Sequence, residues 1–348
     1  MSSMKAAAIL GQRHAEVIDM PRQAPKRNEI EVRVDLCGIC TWDQRVFVGE
    51  KKMPLPLVGG HEIVGRIATL GEDVDPKAYP IGKQVAVKVV RSCHSCYYCR
   101  HDMSNMCVEL NTLNLDGPDV WGMGGFAQYI TADRSSIFDV DETVKAEEAV
   151  LIEPIACVVN SFSKGRPRLG DDIVVIGGGP MGLIHVMIGK ASGCRVIISE
   201  PNQQRREVAK GLGAAVTLDP TQCDLGTEIK KITAGRGAEV VFNTTPIASL
   251  AEQAIGLAAP NGRVVMYSSM HPDKPISVSP GMLHGTQIEL TGAVSPSIES
   301  FDTAVTLVNK GIINPSILLS RVFSYLDCQK AFEAAIDPST FRVAMKFD

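Results

Sequence analysis

The chain has 348 residues, of which 45% are hydrophobic and 21% are charged. Domains commonly span ~100 to 200 residues, so this length predicts two folded domains. The composition is typical of a globular protein and excludes a disordered chain. The 35 basic and 39 acidic residues give a net charge of -4 without a basic block, which argues against a nucleic acid or a membrane surface as partner. We expect a small-molecule partner.

The cysteines and the N-terminal segment indicate the compartment. The opening segment MSSMKAAAIL lacks the hydrophobic region and cleavage site of a secretion signal, and no stretch approaches the ~20 apolar residues of a membrane helix. Four of the ten cysteines lie close together, and clustering in a reducing compartment points to metal. We therefore expect a cytoplasmic, metal-binding protein.

Short strands broken by glycine and proline are predicted in the first part of the chain, among them 29–35, 62–70 and 84–90. From about Asp171 the pattern changes to strands that alternate with helices, starting with DIVVIGGG and the helical PMGLIHVMIGKASG. Six apolar strands separated by helices predict a doubly wound parallel sheet.

Further helices are predicted at about 224–233 and 247–258. The tail from 295 contains two more helical stretches, near 300–310 and 328–335, and a last strand, RVAMKF. We expect this tail to return to the first domain.

A cysteine-rich loop carries the strongest local signal. The spacing C-x2-C-x2-C-x7-C is formed by Cys93, Cys96, Cys99 and Cys107. Four thiolates can surround one tetrahedral zinc ion and leave no position for a substrate. Free or disulfide-bonded cysteines are the alternative, but thiols packed this closely would repel one another as thiolates or oxidise. The loop therefore predicts a structural zinc site.

A glycine-rich turn follows the apolar strand IVVI and opens a helix. The pattern G-x-G-x-x-G is formed by Gly177, Gly179 and Gly182, with Pro180 and Met181 between the last two. The first glycine permits a tight turn, the second lets the backbone approach a pyrophosphate, and the third lets the helix pack on the strand. A dinucleotide site is predicted, although an ordinary glycine-rich turn would have the same residues.

The identity of the dinucleotide is predicted from Glu200, at the end of the second strand of this half. A carboxylate there binds the adenosine ribose hydroxyls and repels the 2'-phosphate of NADP, so NAD is favoured. Arg205 and Arg206 leave NADP as an alternative cofactor, because an arginine can bind that phosphate. An exposed glutamate without function is the plain alternative. Thr244 and Ser268 complete the predicted cofactor site.

A second metal site is suggested by Cys40, in CGICTWD, and by His61 with Glu62, in VGGHEIVG. These are ligand-type residues set among glycines. Their spacing alone is not diagnostic, because a lone cysteine or histidine in a β-rich half is more often structural. On spacing alone, these residues could form a catalytic metal site or could have a purely structural role.

Seven segments together carry a family resemblance over nearly the whole chain. In order they are GICTWD, GGHEIVGRIATLGEDV, GKQVAV, the four-cysteine loop, GGFAQY, LIEP and VVIGGGPMGL. The chain resembles zinc-containing medium-chain alcohol and polyol dehydrogenases, in particular the sorbitol and galactitol-phosphate dehydrogenase branch, with threonine 3-dehydrogenases close by. This implies a homodimer or homotetramer of α/β class, with a GroES-like β-rich catalytic domain at 1–154 and 295–348. A Rossmann doubly wound parallel sheet domain at 155–294 would interrupt it.

The resemblance also implies roles for single residues. Cys40 and His61 would bind a catalytic zinc ion, with Glu62 a ligand or exchangeable near-ligand. Glu153, in LIEP, stands where polyol enzymes use a glutamate that binds zinc directly or through water; a helix-start carboxylate is the alternative. Asp43 would accept the far N–H of His61 and fix its tautomer.

Trp42 departs from the family pattern, which has serine or threonine two residues after the ligand cysteine to relay the substrate proton. Indole cannot relay a proton in that way, so Thr41, or Glu62 and Glu153 with water, would take the role. Trp42 would narrow the pocket or stack against a sugar-like substrate. Packing in the core is the alternative.

The implied reaction is oxidation of a secondary hydroxyl of a polyol or sugar alcohol to a ketone by NAD. Zinc would bring the hydroxyl pKa from ~16 towards neutrality. Whether the polyol is phosphorylated stays open, and threonine or simple alcohols are alternative substrates. A non-catalytic NAD-binding scaffold or sensor is the alternative of another class. We expect specificity to depend on loops at 47–53, 111–123 and 268–275.

Overall fold

The computed structural model describes residues 3–90, 92–109 and 120–347. Two compact units divide the chain: Met1–Ala156 with Ser297–Asp348, and Cys157–Pro296. Their bounds lie two residues beyond the predicted breaks at 154 and 294. Most of the predicted specificity loop at 111–123 lies outside the described residues. Within the described part of the chain, no helix is both long and apolar enough to cross a membrane.

Fifteen strands and eleven α-helices are found in the described residues. The strands are β1 (Ser3–Gly11), β2 (His14–Pro21), β3 (Glu29–Gly38), β4 (Glu62–Leu70), β5 (Gln84–Lys88), β6 (Tyr129–Asp133), β7 (Ile137–Asp139), β8 (Asp172–Ile176), β9 (Arg195–Ser199), β10 (Val216–Leu218), β11 (Ala238–Asn243), β12 (Ala258–Met266), β13 (Glu289–Gly292), β14 (Leu319–Ser324) and β15 (Arg342–Lys346). The helices are α1 (Thr41–Phe47), α2 (Tyr97–Arg100), α3 (Ala146–Ala149), α4 (Ile152–Gly165), α5 (Pro180–Ala191), α6 (Gln203–Leu212), α7 (Leu225–Ile232), α8 (Ala248–Leu257), α9 (Pro280–Thr286), α10 (Ile298–Asn309) and α11 (Cys328–Ala335).

A seven-stranded sheet organises the first unit, with β14, β15, β3, β4, β5 and β7 in that order and β6 also paired with β3. β3 is central because it pairs with β15, β4 and β6. Its sequence EIEVRVDL alternates charged and apolar residues, so that Ile30, Val32 and Val34 all turn into the core. The antiparallel pairing of β3 and β4 places Gly38 opposite Glu62. The end of β3 and the start of β4 are thereby brought together.

A six-stranded parallel sheet forms the second unit, in the order β10, β9, β8, β11, β12, β13. The strand order reverses between β8 and β11, which is the arrangement of a doubly wound sheet, and this prediction is confirmed. The strand DIVVI is buried along its whole length, as expected of a strand covered on both faces. Ile176, Asn243 and Met266 end their strands side by side, so the segments that follow them start at one edge.

A buried histidine couples the stability of the second unit to pH. His185, in α5, is fully buried. Its Nδ1 lies 2.8 Å from the carbonyl oxygen of Met181 and its Nε2 lies 2.9 Å from Ser161 Oγ. Burial lowers the pKa of His185 from 6.5 to about 4. The imidazole is therefore neutral in the folded protein at pH values where the unfolded chain is already protonated.

We expect the protein to lose stability as the pH falls from 6.5 to about 4, because only the unfolded state then binds a proton at His185. Above pH 6.5 both states are neutral and the effect vanishes. Over the whole range from pH 6.5 to about pH 4, the free energy of unfolding should fall by about 3 kcal/mol. Urea unfolding at pH 7 and pH 5 should show a weaker pH dependence for His185→Gln than for wild type. The exposed His284→Gln is the control, and identical pH dependence in all three proteins would contradict this role.

Candidate active site and metal centres

Cys40, His61 and Glu62 come together where β3 ends and β4 begins. Cys40 lies between β3 and α1, and Glu62 is the first residue of β4. One ligand atom of each residue, the Sγ, a ring nitrogen and a carboxylate oxygen, lies within 4.8 Å of the other two. Thiolate, imidazole and carboxylate are the donors that zinc takes in proteins. The cluster therefore has the composition and the spacing of a zinc site.

Several atoms of this cluster are buried without a hydrogen-bond partner in the described part of the chain. They include His61 Nδ1 and Glu62 Oε2. Buried polar atoms are costly unless a partner satisfies them. A bound cation would satisfy the carboxylate, so the residues present fit a metal ion.

The surroundings of the cluster are anionic. Although burial lowers it, the negative charges of Cys40, Glu153 and Asp43 raise the pKa of His61 well above its ordinary value. Burial raises the pKa of Glu62 to about 7. Buried anionic groups that crowd one point favour a cation there.

Asp43 fixes the two backbone segments that carry the cluster. Its Oδ1 accepts the N–H of Gly60 at 3.1 Å, and its Oδ2 accepts the N–H of Cys40 at 3.2 Å. The distance from Oδ2 to His61 Nδ1 is 3.9 Å, which is longer than a hydrogen bond. Asp43 therefore positions the ligand segments, and its predicted hydrogen bond to His61 stays a prediction.

Glu153 and the residues after Cys40 surround the cluster. Glu153 lies in the first turn of α4 and is buried, but it stands outside the group of three, so its role as a zinc ligand stays a prediction. Thr41 is exposed at the start of α1. Trp42 is partly buried and packs against the core of the first unit, and its contact with a substrate stays a prediction.

The four loop cysteines converge as their spacing predicted. The sulfur atoms of Cys93, Cys96, Cys99 and Cys107 lie within 4.8 Å of one another. Backbone N–H groups donate to two of them, at 3.3 Å to Cys107 Sγ and 3.3 Å to Cys93 Sγ. Hydrogen bonds from Ser95 lower the pKa of Cys93 to about 6, whereas burial raises the pKa of Cys99 to about 12. Four thiols this close ionise together only around a cation, which favours zinc.

The rings of His94 and His101, the two histidines of this loop, contact residues other than the four cysteines. His94 Nε2 lies 3.1 Å from Ser135 Oγ. The ring of His101 stacks on Tyr97, with 4.2 Å between centroids, and its Nδ1 lies 2.7 Å from the carbonyl oxygen of the same tyrosine. Neither ring belongs to the group of four sulfurs.

The glycine turn joins β8 to α5. Gly177 has a φ of +104°, which favours glycine, and a Cβ on Gly182 would lie 1.9 Å from the carbonyl oxygen of Gly177. Gly179 precedes the helix, and a Cβ there would meet nothing within 4 Å. Pro180 and Met181 form the first turn of α5. The turn thus presents a helix N-terminus and open backbone, as a pyrophosphate site requires.

Glu200 lies beside this turn after β9 and is buried. Its Oε2 accepts the N–H of Gly178 at 2.6 Å and its Oε1 accepts the N–H of Asn202 at 2.8 Å. Arg206 is held by Asp219 at 3.0 Å and by the carbonyl oxygen of Glu200 at 2.8 Å. Arg205 is partly buried in the first turn of α6. The plain alternative of an exposed Glu200 is wrong, because the carboxylate braces the glycine turn.

Thr244 and Ser268 follow the neighbouring strands at the same edge. Thr244 Oγ1 donates to the carbonyl oxygen of Ile176 at 2.7 Å and so ties the end of β11 to the glycine turn. Ser268 follows β12 and is partly buried. The structure therefore brings the predicted cofactor residues to one edge of the sheet, at the point where the strand order reverses.

Comparison with known families agrees with both halves of this architecture. Residues 26–142 match the model of the alcohol dehydrogenase GroES-like domain, and residues 180–310 match that of the zinc-binding dehydrogenase. The chain belongs to the zinc-containing medium-chain alcohol and polyol dehydrogenase family. The protein is thus an oxidoreductase, and its predicted α/β fold with a GroES-like and a Rossmann part is confirmed.

Relatives of this dehydrogenase match nearly its whole length. A 2-dehydro-3-deoxy-L-galactonate 5-dehydrogenase of Pseudoalteromonas atlantica is 28% identical, over 94% of each chain. A sorbitol dehydrogenase of Bacillus subtilis is 26% identical, over 96% of this chain and 94% of the relative. The crystal structure of a short chain alcohol dehydrogenase of Escherichia coli with NADH superposes with a TM-score of 0.89, at 27% identity and full coverage of both chains.

Arg342 is the part of the site of this dehydrogenase that sequence reasoning missed. It is the first residue of β15 and is 3% exposed. Its Nη2 lies 3.0 Å from Glu62 Oε1, and its Nη1 donates to the carbonyl oxygen of Ile39 at 3.2 Å. The available signal was an arginine that stands immediately before the apolar residues VAM in the segment RVAMKF. Arg342 holds the Glu62 carboxylate and neutralises part of the anionic cluster.

Proposed function

We propose that the protein is a zinc-dependent, NAD-linked dehydrogenase that oxidises a secondary hydroxyl of a polyol or sugar alcohol to a ketone. The observation that carries this proposal is the cluster of partly buried Cys40 with buried His61 and Glu62 in anionic surroundings. The names of the relatives support the substrate class, since they include a sorbitol dehydrogenase and a dehydrogenase of a sugar acid.

Different residues would bind the metal ion and accept the substrate proton in this reaction. Cys40, His61 and Glu62 would hold the catalytic zinc ion. When bound, zinc supplies a Lewis acid that lowers the pKa of the substrate hydroxyl, and NAD accepts the hydride. The indole of Trp42 cannot accept the hydroxyl proton. We assign that step to the buried carboxylate of Glu153 or to the exposed hydroxyl of Thr41. The four loop cysteines would hold a second, structural zinc ion.

The direct test is NADH formation by the zinc-loaded enzyme with a panel of hexitols, pentitols, inositols, their phosphates, L-threonine and short alcohols. We expect turnover of at least one polyol or polyol phosphate. Turnover of L-threonine or short alcohols alone would instead assign the threonine or simple alcohol class. Absence of turnover across the panel, with zinc and NAD both bound, would favour a non-catalytic NAD-binding protein.

Glu200 supports NAD as the cofactor, because a buried carboxylate beside the glycine turn disfavours the 2'-phosphate of NADP. We expect Glu200→Ala to raise the Kd of NAD by about tenfold, through loss of the ribose interaction and of the brace on the turn. The Kd of NADP should change less, so that the preference for NAD narrows. Titration of protein fluorescence with both dinucleotides measures this. An unchanged ratio of the two Kd values would contradict the assignment.

We further propose a cytoplasmic homodimer or homotetramer. All ten cysteines are free of disulfide bonds, which supports a reducing compartment. β13 is an edge strand of the six-stranded sheet, and Val294 just after it is 59% exposed. An open strand edge beside an exposed apolar side chain supports self-association. Sedimentation equilibrium would distinguish the dimer from the tetramer.

A further inference from the structure

Trp42 stands two residues after the metal-ligand candidate Cys40, in the first turn of α1. Its indole is partly buried on the core of the first unit. The helix is anchored at this end by Asp43, which accepts the backbone N–H groups of Cys40 and Gly60. The indole therefore has a fixed place next to the segment that carries the cluster.

Lys51 extends its side chain over this ring. The Nζ atom lies 5.8 Å from the centroid of the Trp42 ring, within the range of a cation–π interaction. Its backbone N–H donates to the carbonyl oxygen of Arg45 at 3.0 Å. The same loop is tied to the turn between β1 and β2 by Gln12, whose Nε2 donates to the carbonyl oxygen of Val48 at 2.9 Å. These two hydrogen bonds hold the backbone of the loop that carries Lys51 beside Trp42.

Among the residues that the structure describes, the ammonium group of Lys51 has no acidic partner. Lys51 is partly buried, and among the described residues its side chain forms no ion pair with a carboxylate. Its neighbour Lys52 is exposed. Most of the lysines that form ion pairs elsewhere in the molecule do so at exposed positions, as Lys5 does with Asp19 at 2.8 Å. A cation that is partly withdrawn from water without a counter-charge is suited to bind an anion of a ligand.

We propose that Lys51, held over Trp42, binds an anionic group of the substrate, so that the preferred substrate is a polyol that carries a phosphate or a carboxylate. The indole face would pack on the C–H groups of the carbon chain, and the ammonium would bind the anion. This inference rests on the proposed function and specifies its substrate class. It also gives Trp42, which lacks the hydroxyl usual at its position, a role in binding.

The test compares three substrates on the zinc-loaded enzyme at saturating NAD: a neutral hexitol, its phosphate and the matching aldonate. We expect kcat/KM for at least one anionic form to exceed that for the hexitol by about tenfold or more, mainly through a lower KM, since a charge-assisted hydrogen bond has this magnitude. Lys51→Met should reduce that ratio by about tenfold. Lys51→Arg should retain part of it.

Lys52→Met is the matched control, because it removes the same charge from the adjacent exposed position, and it should keep the ratio. A gain with the phosphate only, or with the aldonate only, supports the proposal and names the anion. Equal kcat/KM for neutral and anionic forms, or a preference that Lys51→Met leaves intact, overturns the assignment of Lys51 while the proposed function stands. Absence of turnover of all three forms and of the wider polyol panel overturns both.

Discussion

Cys40→Ala is expected to reduce kcat/KM by about 10³-fold or more and to lower the zinc content from two ions per chain to one. In the described part of the chain, the Cys40 sulfur is one of three donors at this site that lie within 4.8 Å of one another, so its loss leaves two protein ligands where a catalytic zinc site uses three. Loss of the Lewis acid removes several kcal/mol of transition-state stabilisation. Metal analysis and steady-state kinetics on the same preparation measure both effects.

Cys328→Ala is the control for this variant. Cys328 is a buried thiol of the same unit and belongs to neither metal cluster. It should retain two zinc ions and most of the activity. A Cys40→Ala protein that keeps two zinc ions and wild-type turnover would show that the metal and the chemistry lie elsewhere.

Arg342→Met is expected to lower the free energy of unfolding by about 3–5 kcal/mol, the cost of breaking a buried ion pair by removing one partner. The two side chains are 4% and 1% exposed, and the guanidinium lies 3.0 Å from Glu62. Without it, the Glu62 carboxylate loses the strongest favourable charge acting on it and shares a buried site with Asp43 and Glu153. Urea unfolding at pH 8 of metal-free protein measures the loss.

Two further variants separate the ion pair from general effects of the substitution. Arg321→Met removes an exposed arginine from the adjacent strand β14 and should change stability by less than about 0.5 kcal/mol. Adding Glu62→Gln to Arg342→Met removes the uncompensated charge and should restore part of the stability. If Arg342→Met unfolds like Arg321→Met, the buried pair does not contribute as described.

The four-cysteine site could be predicted from spacing because all its ligands lie in one short loop. A short helix around Cys99 and a turn before Cys107 are enough to bring the sulfurs together. The glycine turn was predictable for the same reason, since strand, turn and helix follow one another along the chain. The six-stranded sheet followed from strands that alternate with helices.

The cluster at Cys40 depends on pairing between strands, which local spacing does not contain. β3 and β4 must align in register before Cys40 and Glu62 meet, and β15 must return from the end of the chain before Arg342 reaches the carboxylate. A family resemblance supplied the ligands, but not the arginine. The contact of Lys51 with Trp42 likewise depends on how the loop after α1 folds back. The sequence indicated Trp42 and the loop at 47–53 separately, but it did not indicate that the two are in contact.

We propose that a metal ion with catalytic function is bound by Cys40, His61 and Glu62. Anomalous diffraction at the zinc absorption edge, from crystals of active enzyme, tests it most directly. We predict two zinc peaks per chain, one among the four loop sulfurs and one between the Sγ of Cys40 and the ring of His61. A fully active enzyme with a peak among the loop cysteines and none at Cys40 would contradict the account.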